Sequence, residues 1–164
     1  MDNRQESPVQ QQSKPKDDTQ IRLDEFLPFQ LAVVANQVSQ KIAKIIEKDF
    51  SLHIPEWRIL ATLSYHAPVS SQFLVSHTAM DPARVSRAQT RLSDLGLVSV
   101  RQDPDDKRRV LVNLTDHGAE IIAATLPSAL EAEKDIFSAL SQHELDMLDN
   151  ILIKILATLQ AENT

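Results

Sequence analysis

One stretch decides the fold of this chain: residues 80–118, which read MDPARVSRAQTRLSDLGLVSVRQDPDDKRRVLVNLTDHG. Asp81-Pro82 pairs an N-cap acceptor with a proline suited to the first helical turn, and Gly96 supplies a left-handed helix stop. Two apolar alternations, 97–101 and 109–114, flank a polar run and predict a hairpin. The stretch therefore predicts a helix followed by two antiparallel strands.

The predicted helix has three distinct faces at 100° per residue. Its core-facing stripe comprises Val85, Ala88, Leu92 and Leu95. A second stripe comprises Arg84, Arg87 and Arg91, and small or hydroxyl side chains lie near the outward face at Ala83, Ser86 and Thr90. Small side chains let a helix approach base edges in the major groove, while guanidinium groups reach guanine or phosphate. We favour a DNA-reading helix over a surface helix whose arginines are only solvated.

The hairpin tip alternates acidic and basic side chains from Asp103 to Arg109. An aspartate two residues before an arginine can hold the guanidinium by a charge-assisted hydrogen bond, which suits insertion into the narrow minor groove. A hydrated turn held by Asx hydrogen bonds is the alternative, and both descriptions are compatible. A major-groove helix followed by such a hairpin is the layout of a winged helix-turn-helix DNA reader.

Composition and charge agree with a soluble regulator of this kind. The chain has 164 residues, two glycines, no cysteine and a net charge of −6. The lack of cysteine excludes disulfides, thiolate zinc sites and thiol-based redox sensing. Residues 82–109 carry seven Lys or Arg against four Asp or Glu, whereas residues 119–164 carry two against eight. A basic patch on an acidic body suits docking on phosphate with one face.

Helical periodicity predicts about six helices in all, so the expected fold class is mainly α with a small β-hairpin wing. Residues 1–20 are polar and are expected to form a disordered tail. A first helix is predicted from Phe26 to Phe50, and a second begins near Pro55. Three further local signals are a cap at Ser70 or Ser71, an interruption or kink at Pro127, and a capping box formed by Ser141 and Glu144.

Three motifs together resemble the MarR family of winged-helix transcriptional regulators. They are the wing DPDDKRRVLVNLTDHG at 103–118, the recognition helix DPARVSRAQTRLSDLGLV at 81–98 and PEWRILATL at 55–63. The similarity extends over about residues 25 to 160. It implies that Asp106 supports Arg108 at the wing tip, that Ser86 and Arg87 belong to the recognition helix, and that residues 70–72 lie near the DNA backbone. The predicted DNA-binding set is Ser70, Ser71, Gln72, Ala83, Arg84, Ser86, Arg87, Thr90, Arg91, Asp106, Arg108 and Arg109.

The expected domain organisation places a winged helix-turn-helix at 52–118 and a helical dimerisation region at 21–51 and 119–164. The last helix is apolar over a broad sector, and an exposed stripe of that size normally marks an interface. Its predicted interface residues are Leu148, Leu152, Ile155 and Leu159. The resemblance implies a two-fold dimer on a pseudo-palindromic site. A monomeric bundle with the stripe turned inward is the alternative.

The sequence carries fewer signals for metal or small-molecule binding than for DNA binding. The five histidines, at 53, 66, 77, 117 and 143, show no ligand spacing, so we predict no metal and no cofactor. Some members of the family bind small aromatic or carboxylate molecules, and the candidates for such a pocket are Phe29, Trp57, Arg58 and His66. The alternative is that Phe29 and Trp57 pack in the core, whereas Arg58 and His66 are surface or cap residues.

The sequence thus predicts a homodimeric transcriptional regulator, a repressor that leaves a palindromic operator when a small effector binds. No catalytic motif is present, so we expect no enzyme. No apolar run of membrane-spanning length and no signal peptide occur, so we expect a cytoplasmic protein without membrane contact. Two alternatives stay open: a winged-helix module that binds a protein partner instead of DNA, and constitutive DNA binding without an effector.

Overall fold

The structure, a computed structural model, describes residues 21–107 and 109–161, so the predicted tail at 1–20 and Arg108 lie outside the described residues. The chain divides into two units, one ending at Ala35 and one beginning at Asn36. In chain order the elements are a 3-10 turn Leu23–Glu25, α1 Leu27–Phe50, α2 Ile54–His66, β1 Val69–Ser70, α3 Ser71–Thr78, α4 Pro82–Asp94, β2 Val98–Gln102, β3 Val110–Leu114, α5 Asp116–Ile136 and α6 Gln142–Ala161.

The sheet has three antiparallel strands in the order β1-β3-β2. The hairpin was predicted, and its register pairs Val98 with Leu114 and Gln102 with Val110. Strand β1 was not predicted, and it pairs Val69 with Val112 on the other side of β3. Because β1 is only two residues long, it carries no alternation that a sequence pattern could reveal. The predicted fold class, a mainly α winged helix-turn-helix, is confirmed.

The core of the second unit lies between α2, α3, α4 and the sheet. Its large, fully buried side chains are Ile46, Leu52, Ile59, Leu60, Leu63, Leu74, Val85, Leu92 and Val112. The apolar stripe predicted for the recognition helix is buried at Val85, Ala88 and Leu92, whereas Leu95 is 48% exposed. Leu95 is the C-cap of α4, and it therefore lies past the last turn that packs on the core.

Local capping signals place the N-terminus of α3 and both ends of α4. The Asp81 carboxylate accepts a hydrogen bond from the Arg84 backbone N–H at 2.8 Å, and Gly96 has a φ of +67° just beyond α4. Of the two candidate caps of α3, Ser70 is the one used, since its hydroxyl accepts from the Phe73 N–H at 3.2 Å. The first residues of α3 and α4, and the end of α4, are therefore defined by residues at those helix ends.

Of the two outcomes predicted at Pro127, the interruption is wrong, because α5 runs through that proline from Asp116 to Ile136, and the kink stays a prediction. Buried side chains on both sides of it, Thr125 and Ala132, belong to one continuous helix. Packing of both halves therefore outweighs the hydrogen bond that proline removes.

The capping box predicted at the start of α6 is present. The backbone N–H and the hydroxyl of Ser141 donate to Glu144 at 2.8 and 2.7 Å. These two hydrogen bonds hold the pKa of the Glu144 carboxyl below its ordinary value. The box defines the first turn of a helix in which no residue is buried.

Candidate nucleic-acid interface

The outward face of α4 presents cations and small side chains together. Arg84 and Arg87 are exposed, and no ion pair within the described part of the chain holds either guanidinium group. The small residues of this face are also exposed, namely Ala83, Ser86 and Thr90. The hydroxyl of Thr90 is turned back to the Ser86 carbonyl at 3.1 Å. The helix therefore offers a narrow ridge flanked by two cations whose positions are free to adjust to a partner.

Arg91, the third arginine of the predicted stripe, has different surroundings. Its Nε lies 3.3 Å from an oxygen of the buried Glu56 carboxylate. One of its terminal nitrogens lies 3.5 Å from the Ser51 carbonyl oxygen. Arg91 thus faces the body of the protein instead of standing free beside Arg84 and Arg87.

An open cleft of about 590 Å³ lies between the start of α3 and the wing. Its lining residues are Ser70, Ser71, Gln72, Phe73, Ser76, Arg109 and Val110. The structure therefore brings four predicted residues from two distant sequence segments, positions 70–72 and Arg109, into one cleft. Hydroxyl groups, an amide and a guanidinium around one opening are donors suited to phosphate oxygens.

The wing turn is ordered by hydrogen bonds within its own tip. The Asp103 carboxylate accepts from the Asp105 N–H at 2.9 Å, which is the expected Asx turn. Arg109 donates its N–H to the Asp106 carbonyl at 2.8 Å, and its Nε lies 3.5 Å from the Asp106 carboxylate. Asp106 therefore pairs with Arg109. The implied support of Arg108 by Asp106 stays a prediction, because Arg108 lies outside the described residues.

A side-chain pair that the sequence analysis missed joins α3 to α4. The Ser71 hydroxyl and the Gln89 amide lie 3.1 to 3.2 Å apart and exchange hydrogen bonds. Gln89 is half-buried, between the apolar and exposed stripes of α4. Helical periodicity assigns no role to such a position, and only the nearness of α3 reveals one.

A second groove, of about 360 Å³, contains two of the predicted effector-binding residues. It is lined by Trp57, Arg58, Ala61, Thr62, His77, Thr78 and Ala79. The Trp57 indole donates to the hydroxyl of the buried Thr125 at 3.1 Å. Arg58 donates to the Thr78 carbonyl at 3.2 Å. A ring, a cation and an imidazole thus share one opening at the turn that precedes α4.

Of the other two predicted pocket residues, one lies in the same unit as the groove but outside it. His66 does not line this groove, because it lies at the end of α2 with its ring 5.2 Å from Phe73 and 5.5 Å from His77. His77, whose ring centroid lies 3.6 Å from that of Phe73 in a stacked arrangement, lines the groove. Phe29 belongs to the first unit and is 42% exposed.

The described residues of α6 leave a large apolar surface uncovered. Its exposed hydrophobic side chains are Met147, Ile151, Leu152, Ile153, Ile155, Leu156 and Leu159. Leu148 is half-buried, so the four predicted interface residues are all at least partly accessible. A groove of about 710 Å³ between α5 and α6 continues this surface past Leu130, Phe137 and Leu152.

Neither a metal-binding cluster nor a membrane-spanning helix occurs within the described residues. The described side chains include no group of three or more His, Asp or Glu placed to hold a metal ion. None of the helices within 21–107 and 109–161 combines the length and apolarity that a membrane span needs.

The chain is similar in sequence to known transcriptional regulators. A family model described as the MarR family matches residues 52–110. The HTH-type transcriptional repressor NicR of Pseudomonas putida is 34% identical over 85 residues, which are 52% of this chain and 54% of NicR. The chain therefore matches about half the length of this curated relative.

Two solved structures are similar over most of the chain. A MarR/EmrR family transcriptional regulator from Acinetobacter sp. ADP1 has a TM-score of 0.79 and 28% identity, covering 86% of this chain and 99% of that one. BpsR of Bordetella bronchiseptica, whose DNA binding is regulated by 6-hydroxynicotinic acid, has a TM-score of 0.76 and 25% identity, covering 83% and 96%.

Proposed function

Because the chain belongs to the MarR family of transcriptional regulators, we propose that it represses transcription by binding a palindromic operator as a homodimer. The family and the matched relatives are transcriptional regulators and not enzymes. NicR is a repressor by name, which supports the sign of regulation that we propose. The observation that carries the proposal is the free cationic face of α4 beside a hydroxyl-lined cleft that contains Arg109.

In the proposed complex the two surfaces have different tasks. The N-terminal half of α4 enters the major groove, and Arg87 donates to a guanine edge. The cleft at 70–72 and Arg109 holds a phosphate of the flanking backbone, where hydroxyl and guanidinium donors replace water. Arg108 is proposed to join Arg109 in the wing contact.

The dimer is proposed from the apolar surface of α6. At least six large apolar side chains on one 20-residue helix are more than soluble monomers usually expose together. A second copy of the chain carries the same surface, so a two-fold axis covers both at once. Dimerisation then presents two α4 helices to major grooves about one helical turn apart.

We expect substitutions at Arg87 and Arg109 to weaken DNA binding in different ways. Arg87→Gln removes a base contact, so affinity for a duplex selected by the wild-type protein falls about 10- to 100-fold while affinity for a scrambled duplex changes little. Arg109→Gln removes a phosphate contact, so both affinities fall alike and the slope of log affinity against log salt decreases by about one. Fluorescence anisotropy over a salt series measures both quantities.

The matched control is Lys154→Gln, which removes an exposed cation on α6 and is expected to leave both affinities unchanged. Equal losses on the two duplexes for Arg87→Gln would contradict the assignment of a base contact. Failure of the wild-type chain to select any duplex at low salt favours the alternative of a protein-binding module.

The groove beside Trp57 and Arg58 is the proposed effector site. BpsR responds to 6-hydroxynicotinic acid, an aromatic acid whose carboxylate matches a guanidinium and whose ring matches an indole. Arg58 holds the carbonyl of Thr78, three residues before the N-cap of α4. A carboxylate that draws Arg58 away releases this carbonyl, and the operator-bound position of α4 then loses a support.

We expect 6-hydroxynicotinic acid to raise the melting temperature of the wild-type protein and to release it from its selected duplex. Arg58→Gln is expected to raise the ligand concentration needed for this response at least tenfold, because a neutral amide donor replaces the guanidinium in the pair with the carboxylate. Thermal shift and competition anisotropy measure the two effects, and nicotinamide, which has no carboxylate, is the ligand control. No response to any aromatic acid supports constitutive DNA binding.

A further inference from the structure

The buried carboxylate of Glu56 ties the recognition helix to the preceding part of the chain. One of its oxygens pairs with Arg91 Nε on α4 at 3.3 Å. Its second oxygen accepts the His53 backbone N–H at 2.7 Å, in a capping box at the start of α2. A single side chain from α2 therefore fixes both its own helix terminus and a cation of α4.

The network continues into the end of α1. His53 Nδ1 lies 2.9 Å from a carboxylate oxygen of Glu47, in the last turn of that helix. Ser51, whose carbonyl lies near Arg91, has a φ of +55° in the connection between α1 and α2. The connection that ends α1 is thus in contact with the same guanidinium that reaches Glu56.

Arg91 differs in this respect from the arginines on its own helix. Arg84 and Arg87 are exposed and have no ion-pair partner among the described residues, whereas the Arg91 side chain is 46% exposed and faces Glu56, whose side chain is 5% exposed. A buried carboxylate needs a partner, since loss of one member leaves an uncompensated charge. Arg91 therefore has a buried partner within the protein, which holds its Nε toward α2.

From this geometry we propose that Arg91 is a positioning residue: its ion pair with Glu56 sets the orientation of α4, so that Arg87 meets its base. The inference rests on the proposed DNA-binding function and adds a division of labour among the three arginines. The same pair links α4 to the connection after α1, so that a change at that connection reaches the recognition helix.

The test combines a double-mutant cycle with a salt series. The variants are Glu56→Gln, which keeps an oxygen for the capping box, Arg91→Gln, and the two together. Each single change is expected to lower affinity for the selected duplex about tenfold, and the double variant is expected to lose no more than either single one. The salt slope stays at the wild-type value in all three, because no phosphate contact is lost.

Two results would overturn the assignment. If Arg91 binds phosphate directly, Arg91→Gln lowers the salt slope by about one while Glu56→Gln leaves affinity unchanged. If the pair serves stability only, the single variants lower the melting temperature, yet the folded protein keeps its wild-type affinity and its preference for the selected duplex. Lys154→Gln, which removes an exposed cation on α6, is the control for altered charge.

Hydrogen exchange measures the same coupling without DNA. Arg91→Gln and Glu56→Gln are expected to accelerate amide exchange in residues 82–95 to a similar extent, whereas Arg84→Gln leaves it unchanged. Wild-type protein that binds no duplex refutes the proposed function, and the exchange pattern still decides the inference. Unchanged exchange in both single variants contradicts the positioning role.

Discussion

Replacing both Leu152 and Ile155 with glutamate is expected to convert the proposed dimer into monomers and to lower affinity for the selected duplex at least a hundredfold. The two side chains are 45% and 39% exposed on one chain, and they lie on neighbouring turns of α6. Two carboxylates buried against a second apolar helix have no partner there, and desolvation of such charges is far more costly than the loss of two aliphatic contacts. A monomer binds one half-site, and it loses the gain in affinity that arises when two linked DNA-binding domains occupy both half-sites.

The control for added charge is Lys154→Glu, which changes the net charge by −2, as the double variant does. Lys154 lies about 100° or more around the helix from each of the four predicted interface residues, so the substitution is expected to leave the dimer intact. Sedimentation velocity measures the mass of the particle, and anisotropy measures affinity for the selected duplex. A double variant that sediments as a dimer would show that the second copy is bound through another surface.

Much of the structure of the proposed DNA-binding surface was predictable because its signals are local. Asp81-Pro82 and Gly96 delimit α4 through contacts within one turn, and the apolar period fixes which face of it is buried. The hairpin was predictable for the same reason. Its partner β1 was not, since a two-residue strand exists only through its pairing with β3.

Helical periodicity predicted the face on which Arg91 lies but not the partners of its side chain. Arg84 and Arg91 are seven residues apart and therefore lie within about 20° on the same helix face. Their surroundings differ because Arg91, nearly two turns further along, meets Glu56 and the Ser51 carbonyl. Those partners are 35 and 40 residues away in sequence, so only the packing of α2 on α4 identifies them. In the same way, His77 lines the groove beside Trp57 and Arg58, and His66 does not, because of how α3 packs beside α2.

Replacing Gly118 with alanine is expected to destabilise the protein by about 3 kcal/mol, and to lower the melting temperature by about 10 °C. A Cβ at this position would lie 2.0 Å from the Leu97 carbonyl oxygen and 3.2 Å from a methyl of Leu114. The carbonyl cannot retreat freely, because it accepts the Thr115 N–H at 3.2 Å at the start of α5. Helix propensity alone predicts the opposite sign, since alanine is favoured over glycine in helices.

The other glycine of the chain supplies the matched control. Gly96 has open space where its Cβ would be, and its φ of +67° is the only obstacle to a side chain. Gly96→Ala is therefore expected to cost about 1 kcal/mol, the strain of one left-handed residue. Denaturant unfolding compares the two variants. A loss at Gly118 no larger than that at Gly96 would mean that α5 shifts away from the sheet, and operator binding would then fall because the wing and α5 meet at this carbonyl.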